Sequence, residues 1–512
     1  MSAPARLQFD DLSEEALGHL ACKLAPRLRP GDFLALKGDL GAGKSAFARF
    51  LIRAITGRPD EDVPSPTFAL VQPYETGRFP IHHFDFYRLS GLSEAAELGI
   101  GEALDAGVVI AEWPERLGGA LPADRLELSL AEADRPDRRN ASLEGFGDWV
   151  ARLARFAAID RFIGGTEWSE ARHHYLFGDA SARGYTRLRM SGASVMLMDW
   201  PKAPDGPPPR QGRTYSQIAH RAEDVKPFVA VAQALREAGL SAPRIHAQDL
   251  DAGLLILEDF GDETFTRMAA RGLDQSGPYR LAVDALLILR KKPPRRVLPA
   301  DGVSHVLPDF DREALRIETE LVVNWFLPAV RGAQTPQALR DEFAALWNEQ
   351  FDWLLRQPAG WVLRDYHSPN LLWRSGEEGM GRLGIIDFQD AMRGHLAYDL
   401  VSLLQDARLD LPAGFEAALL EHYCQRAAAT DAGFDARSFL RAYRLLGAQR
   451  ATKLLGLFTR LCRRDGKRAY LQHLPRVARY LSENLNDPAL ARLKSWYERE
   501  LPGDVASLAA KL

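Results

Sequence analysis

Residues 38–45 read GDLGAGKS, and the apolar runs on either side of them decide the fold of the first third of the chain. FLALKG (33–38) precedes the octapeptide and reads as a buried strand. SAFARFLIRAI (45–55) follows, with Phe47, Phe50, Leu51, Ala54 and Ile55 at helical spacing. A strand, a glycine-rich turn and a helix, with Gly38, Gly43, Lys44 and Ser45 in the G-x-x-x-x-G-K-[ST] places, are the parts of a phosphate-binding loop. Glycines such as Gly38, Gly41 and Gly43 let the backbone curl, so that successive N–H groups point at phosphate oxygens. The helix adds the positive end of its dipole. Lys44 is placed to reach the β and γ phosphates of a nucleotide such as ATP, and Ser45 to hold Mg²⁺.

Working outward, FALVQPY (68–74), IHHFDFY (81–87), VVIAEW (108–113) and RLELSLA (125–131) are further strand candidates. Strands interleaved with helices give an α/β domain with a partly parallel sheet. A nucleotide site needs carboxylates near the metal, and the C-terminal edges of such strands are where ligands bind. Asp85, an acid amid Phe84, Phe86 and Tyr87, is a candidate for the metal. Glu112, at the end of VVIAE, is a second acid well placed at a strand's C-terminal edge, with a salt bridge to Arg116 as the alternative. Thr67 in VPSPTF is a candidate sensor of the γ-phosphate, or a simple turn hydroxyl.

GDLGAGKS, VPSPTF, HHFDFYRL and EWPER, in this order and spacing, resemble the TsaE family. The resemblance covers roughly residues 7–150. It implies a small ATPase that serves threonylcarbamoyladenosine modification of tRNA together with other subunits of that machinery, and that meets tRNA only indirectly. It also implies that Asp85 is the metal-associated acid of H-x-D-x-Y-R, with His83, Tyr87 and Arg88 completing the motif, and that Glu112, the acid of the E-W motif, orients the attacking water.

The second part of the chain changes character. GDWVARLARFAAIDRF (147–162) reads as a helix leading out of the first domain, and we place the boundary at 158/159. HHYLFG (173–178), YTRLRM (185–190), SVMLMDW (194–200) and LLILEDFG (254–261) read as strands of a small lobe at about 162–260. PKAPDGPPPR (201–210) is a proline-rich loop, and 221–240 reads as a helix. From 261 to 512 the pattern is mostly helical, with two short strands expected around 371–373 and 382–387, and RKKPPRR (290–296) reads as a solvated loop.

Within that helical part, WVLRDYHSPNLLWR (361–374) and GIIDFQD (384–390) hold a second constellation. Asp365 and Asn370 are five residues apart, and Asp387 follows 17 later, just after a strand. Phosphoryl transfer to a hydroxyl uses such a set: one carboxylate for the hydroxyl, an amide and a second carboxylate for Mg²⁺. These segments, with GDASARGYTRL (178–188), LILEDFGD (255–262) and IIDFQDAMRGHLAYDLVSLLQD (385–406), resemble the aminoglycoside phosphotransferase family, and within it the branch of kinases that act on N-acetylated amino sugars of the cell wall. The resemblance implies a two-lobed (α+β) protein-kinase-like fold and transfer of phosphate from ATP to a small sugar. Carried over, Asp365 is the catalytic base, Asn370 and Asp387 bind Mg²⁺, Ser181 and Arg183 lie in the segment covering the phosphates, and Glu258 to Phe260 form the hinge near adenine. One departure stands out. The family's third-strand lysine has no counterpart in SVMLMDW, and between 161 and 290 the only lysines are Lys202 and Lys226. Arg183 and Arg187 are the candidate substitutes, and a pseudokinase that regulates the ATPase or acts as a scaffold is the alternative.

Composition limits these readings without choosing among them. The chain has 512 residues, too many for one core, and 65 basic against 69 acidic residues, so no bulk charge favours nucleic acid. Three scattered cysteines and an opening MSAPARLQFDDLSEE without an apolar core point to a reduced, cytoplasmic protein with no membrane contact.

Overall fold

A computed structural model of the chain describes residues 5–89, 98–176, 183–202, 210 and 212–501. It divides into two compact units, 1–201 with 245–259 and 202–244 with 260–512.

The first unit holds two sheets. Strands β1 (Ala5–Leu12), β2 (Phe33–Lys37), β3 (Val71–Tyr74), β4 (Ile81–Asp85), β5 (Val108–Glu112), β6 (Arg125–Glu132) and β7 (Arg139–Phe146) form one, in the order β1-β7-β6-β2-β5-β4-β3. β2 runs parallel to β5 and β6, and β4 parallel to β5, while β1, β3 and β7 pair antiparallel. The central strands are apolar without alternation because both faces are covered. On one face Leu34, Leu36, Val108 and Ile110 pack with Leu17 and Leu20 of the helix Glu14–Leu24 and with Phe47 and Leu51 of the helix Lys44–Thr56. On the other, Phe33, Ala35, Val109 and Ala111 pack with Phe84 and Phe86. The expected strand 68–74 begins only at Val71, because the Leu70 N–H donates to the Pro66 carbonyl in a turn and Leu70 has a φ of 63°.

The second sheet comprises β8 (Arg172–Tyr175), β9 (Gly184–Met190), β10 (Ala193–Asp199), β11 (Ile245–Asp249) and β12 (Leu254–Glu258), antiparallel throughout in the order β11-β12-β10-β9-β8. The helix Trp149–Gly164 joins the two sheets. Its single apolar stripe places Trp149, Leu153 and Phe156 in the first core and Ile159 and Ile163 in the second, with Leu188, Val195, Leu197 and Ile256. The boundary placed at 158/159 falls within this continuous helix. Polar contacts reinforce the junction. Asp199, at the end of β10, accepts from Arg27 at 2.6 Å and from Arg155 at 2.6 and 3.0 Å, and Arg155 also donates to the Ala252 carbonyl at 2.6 Å.

The second unit is mainly helical, and the helix Ala436–Asp465 is its longest described element. It has more strand than the sequence suggested. β13 (Val297–Ala300) and β14 (Val303–Val306) form a hairpin, and β15 (Ala359–Val362), β16 (Leu371–Trp373), β17 (Leu383–Ile385) and β18 (Met392–His395) pair as β15 with β18 and β16 with β17. Segments of three or four residues are too short to show a period, which is why only β16 and β17 were anticipated. The run 290–296 is only partly loop: Arg290 and Lys291 close the helix Ser276–Lys291, and Arg290 pairs with Asp431 at 2.7 Å. The helix expected from 221 starts at Lys226. Among the described residues no helix is long and apolar enough to cross a membrane.

The Asp199 junction makes a stability prediction. Asp199→Ala leaves two partly buried guanidinium groups without their anion and costs about 2–4 kcal/mol. It should lower the unfolding temperature and speed amide exchange in β10 and β12; exchange confined to residues 1–30 would count against a shared junction.

Candidate active sites

Gly38 follows β2 with a φ of 137°, and a Cβ there would collide with the Leu130 carbonyl, so the turn into the loop requires glycine. Gly43 caps the helix Lys44–Thr56 with a φ of 103°. The loop brings Lys44 Nζ to the carbonyls of Gly38 and Asp39, at 2.7 and 2.9 Å. The same ammonium lies 3.7 Å over the Trp113 ring. Burial pulls the Lys44 pKa down, and the nearby carboxylates of Glu112 and Glu115 oppose that shift.

β4 and β5 are in register with Asp85 opposite Glu112, which sets two buried carboxylates side by side at the strand ends. Their partners differ. Glu112 Oε2 accepts from the Ser45 hydroxyl at 2.8 Å, and its Oε1 pairs with His83 Nε2 at 3.0 Å. Its contacts are these, not a salt bridge to Arg116. Asp85 Oδ2 accepts from Ser65 and Thr67, each at 2.9 Å, and its Oδ1 from the Tyr87 N–H at 3.0 Å. Glu112, not Asp85, thus touches the serine of the phosphate loop, and Thr67 bonds to Asp85. A serine hydroxyl beside two carboxylates is a hard-oxygen donor set of the kind Mg²⁺ takes with nucleotide phosphates. Trp113 escaped the sequence reading. It holds a left-handed conformation, with φ 57°, that turns the ring onto Lys44. The signal that could have found it is an aromatic residue between a strand-end acid and a proline.

In the second unit, Asp365, Asn370 and Asp387 come together. Asn370 Nδ2 donates to the Asp365 carbonyl at 2.9 Å and to Asp387 Oδ2 at 3.3 Å, and Gln389 donates to Asp387 Oδ1 at 3.1 Å. An amide oxygen and a carboxylate so joined suit Mg²⁺, which needs few protein ligands beside the phosphates. Asp399 holds the loop from below, accepting the N–H groups of Leu363 and Arg364 at 2.6 and 2.9 Å. Burial pushes its carboxyl up to about 7.

Arg364 and Asp387 both have positive φ, 72° and 62°, which side chains other than glycine rarely adopt. At Arg364 the surroundings account for it. Its N–H is held by Asp399, and its guanidinium bonds the Ala219 carbonyl at 2.8 Å and the buried Glu318 carboxylate. Glu318 also accepts from Lys453 Nζ at 2.7 Å and from Gln449 at 3.0 Å. The helices Arg312–Leu321 and Ala436–Asp465 approach this closely because Gly456 packs on the Leu321 backbone, where a Cβ would clash. Burial alone would raise the Glu318 pKa, but Lys453 and Arg364 bring it to about 2. Burial would likewise raise the Asp365 carboxyl; His367, Lys453 and Arg364 overcome it and hold the carboxyl below its usual range. Glu318, Gln449 and Lys453 were missed. The signal for Gln449 and Lys453 is polar residues within AQRATKLLG, on a helix otherwise buried by its apolar residues; Glu318 lies in RIETELVV, on the helix Arg312–Leu321.

Four further residues were expected at the nucleotide of the kinase. Ser181 falls outside the described residues. In the first unit, the Arg183 guanidinium lies 4.9 Å from the Trp200 ring, and Glu258 ends β12 opposite Val195. Arg187, the other candidate substitute for a third-strand lysine, pairs with Asp259, the closest approach being 2.6 Å. In the second unit the Phe260 ring packs under the Arg374 guanidinium at 4.2 Å.

Comparison with known proteins matches each half separately. A family model described as threonylcarbamoyl adenosine biosynthesis protein TsaE matches residues 12–141, and one described as phosphotransferase enzyme family matches 209–443. The N-acetylmuramate/N-acetylglucosamine kinase of Caulobacter vibrioides is 37% identical over 357 residues, covering 68% of this chain and 97% of that protein. Its namesake in Pseudomonas aeruginosa is 36% identical over 324 residues, covering 62% and 84%. The tRNA threonylcarbamoyladenosine biosynthesis protein TsaE of Rickettsia felis is 40% identical over 126 residues, covering 25% and 73%.

The Glu318 cluster is directly testable. Glu318→Ala leaves Arg364 and Lys453 buried without their anion and should cost about 3–5 kcal/mol, read as a lower unfolding temperature of the second unit. Glu318→Leu with Lys453→Met, which removes an anion and a cation together, should recover part of that loss. Equal destabilisation by the single and double variants would show that the charges are not coupled.

Proposed function

Because the chain belongs to the TsaE family over its N-terminal part and to the N-acetylmuramate/N-acetylglucosamine kinases of the phosphotransferase family over the rest, we propose that its two ATP-using sites serve two separate reactions. Residues 1–158 carry an ATPase that supports threonylcarbamoyladenosine modification of tRNA. Residues 159–512 carry a kinase that phosphorylates a hydroxyl of an N-acetylated amino sugar, in the cytoplasm.

In the ATPase, the loop N–H groups and Lys44 bind the phosphates, and Ser45 and Asp85 serve Mg²⁺. Glu112 orients the attacking water, and His83 fixes the direction of its second oxygen. Thr67 relays the state of the γ-phosphate through Asp85. Other proteins of the tRNA-modifying machinery are the partners, and tRNA is met through them.

In the kinase, Asp365 takes the proton of the sugar hydroxyl as its oxygen attacks the γ-phosphorus. The bond to the β–γ bridging oxygen breaks and ADP leaves. Asn370 and Asp387 would hold Mg²⁺, which neutralises charge on the phosphates during transfer. Ser181, Arg183, Glu258 and Phe260 bind the nucleotide. The observation that carries this reading is the joined Asp365–Asn370–Asp387 set under Asp399. A pseudokinase has no need of all three groups, and the curated relatives of this half are kinases.

Two substitutions separate the reactions. Asp365→Asn should reduce sugar-dependent ADP release by about 10²–10⁴-fold, the usual range for a lost general base, and spare hydrolysis at the phosphate loop. Lys44→Ala should abolish partner-stimulated hydrolysis and spare sugar phosphorylation. Sugar turnover that survives Asp365→Asn, or loss of both activities on either substitution, would overturn the two-site assignment.

A further inference from the structure

The hairpin that joins β6 to β7 carries three arginines, and two of them pair with acids. Arg135 pairs with Asp11, and Arg138 with Asp137 at 3.7 Å. Arg139, the first residue of β7, has no carboxylate within ion-pair distance among the described residues, and its guanidinium is bonded to carbonyls alone. Its Nη1 donates to the Pro136 and Arg138 carbonyls, both at 2.7 Å, which anchors it on the hairpin. Its Nε donates to the Ala42 carbonyl at 3.2 Å and its Nη2 to the Gly41 carbonyl at 3.3 Å, across 97 and 98 residues of chain. Both of these carbonyls belong to the phosphate loop.

The loop is thus held from two sides. Lys44 Nζ takes the carbonyls of Gly38 and Asp39, and Arg139 takes those of Gly41 and Ala42. In a trans peptide the N–H points opposite to the carbonyl of the same unit. An Ala42 carbonyl fixed on Arg139 therefore directs the Gly43 N–H away from the arginine. The Ala42 N–H is already turned to the Asp39 carbonyl, at 3.1 Å, so Gly43 is the amide that this hold presents at the start of the helix Lys44–Thr56. Gly38, Gly41 and Gly43 all have positive φ, and glycines lose much conformational freedom on ordering, so a loop tied before nucleotide arrives loses less on binding. A guanidinium bonded to neutral carbonyls also keeps its whole charge, and its field adds to those of Lys44 and the helix dipole.

We propose that Arg139 is a positioning residue of the phosphate loop: it clamps the Gly41 and Ala42 carbonyls from outside, so that the Gly43 N–H faces the phosphates of the bound nucleotide. The inference rests on the ATPase reading above and goes beyond it, because Arg139 lies outside all the motifs that carry that reading. An arginine suits the task, since its planar fork can hold two loop carbonyls while it stays bonded to the hairpin, and a lysine ammonium cannot.

The test is amide hydrogen exchange of the full chain, titrated with ADP and Mg²⁺, for the wild type, Arg139→Met and Arg139→Lys. ADP should protect residues 41–47, and the concentration giving half protection measures the affinity of this site apart from that of the kinase. Arg139→Met should raise that concentration about 10-fold, near the low end for a lost charge-assisted hydrogen bond, and should speed exchange at 41–47 before ADP is added. Arg139→Lys, which keeps the charge but not the fork, should fall between the wild type and Arg139→Met. Thermal unfolding identifies a variant that has lost its fold. Should Arg139→Met do so, Arg139→Lys carries the comparison: weaker protection than the wild type supports the clamp, and equal protection overturns it. Faster exchange confined to the β6–β7 hairpin, with the ADP midpoint unchanged, would overturn the proposal and assign Arg139 to the hairpin alone. If ADP does not protect the loop even in the wild type, the ATPase reading fails by itself. Exchange without nucleotide then decides the clamp: faster exchange at 41–47 in Arg139→Met supports it, and unchanged exchange overturns it.

Discussion

Trp149, Leu153 and Phe156 are buried in the core of the seven-stranded sheet, and Ile159 and Ile163, further along the same helix, in that of the five-stranded sheet. A helix anchored this way cannot leave one core without pulling on the other. Each buried side chain of this size contributes about 1.5–3 kcal/mol, so the cores are coupled by a substantial part of the stability of either sheet. Arg27 and Arg155 add direction, because both reach Asp199 at the end of β10. The strand that lacks the family's lysine is therefore fixed at its end by the ATPase domain.

Both sites obey one electrostatic rule: a carboxylate taken out of water must be surrounded by donors. Glu112 meets it with a serine hydroxyl and a histidine, Asp399 with two backbone N–H groups, and Glu318 with an arginine, a lysine and an amide. The left-handed backbone at Trp113 and Arg364 follows from the same demand, since each turns a side chain to a place that an ordinary strand exit would not reach. Strain of this kind, of order 1–3 kcal/mol per residue, persists where the surroundings over-determine it.

Much of the site chemistry was legible in the sequence because it is local. GDLGAGKS places five residues on one turn, and RDYHSPN spans Asp365 and Asn370 in a single loop, so spacing alone carries the chemistry. Asp85 and Glu112 were legible as acids at strand ends, but which of them faces Ser45 depends on strand register and side-chain direction across β4 and β5. The helix Trp149–Gly164 was legible as a helix but not as a junction, because one amphipathic stripe looks the same whether it meets one core or two. The short strands β13, β14, β15 and β18 were not legible at all, since four residues make a ladder only when the partner strand is present.

The sequence by itself determined the two folds, the phosphate loop and the Asp–Asn–Asp set, because phosphate cradles and catalytic loops are written in contiguous residues. Only the tertiary structure decided how charge is distributed around them. Arg187 pairs with Asp259 and Lys453 with Glu318. The partners of Arg187, Lys453 and the loop are 35 to 135 residues away in the chain, and no local pattern encodes which buried charge finds which. Pairing is settled by the packing of elements such as the Gly456 crossing, where close approach of two helices determines which carboxylate a lysine can reach.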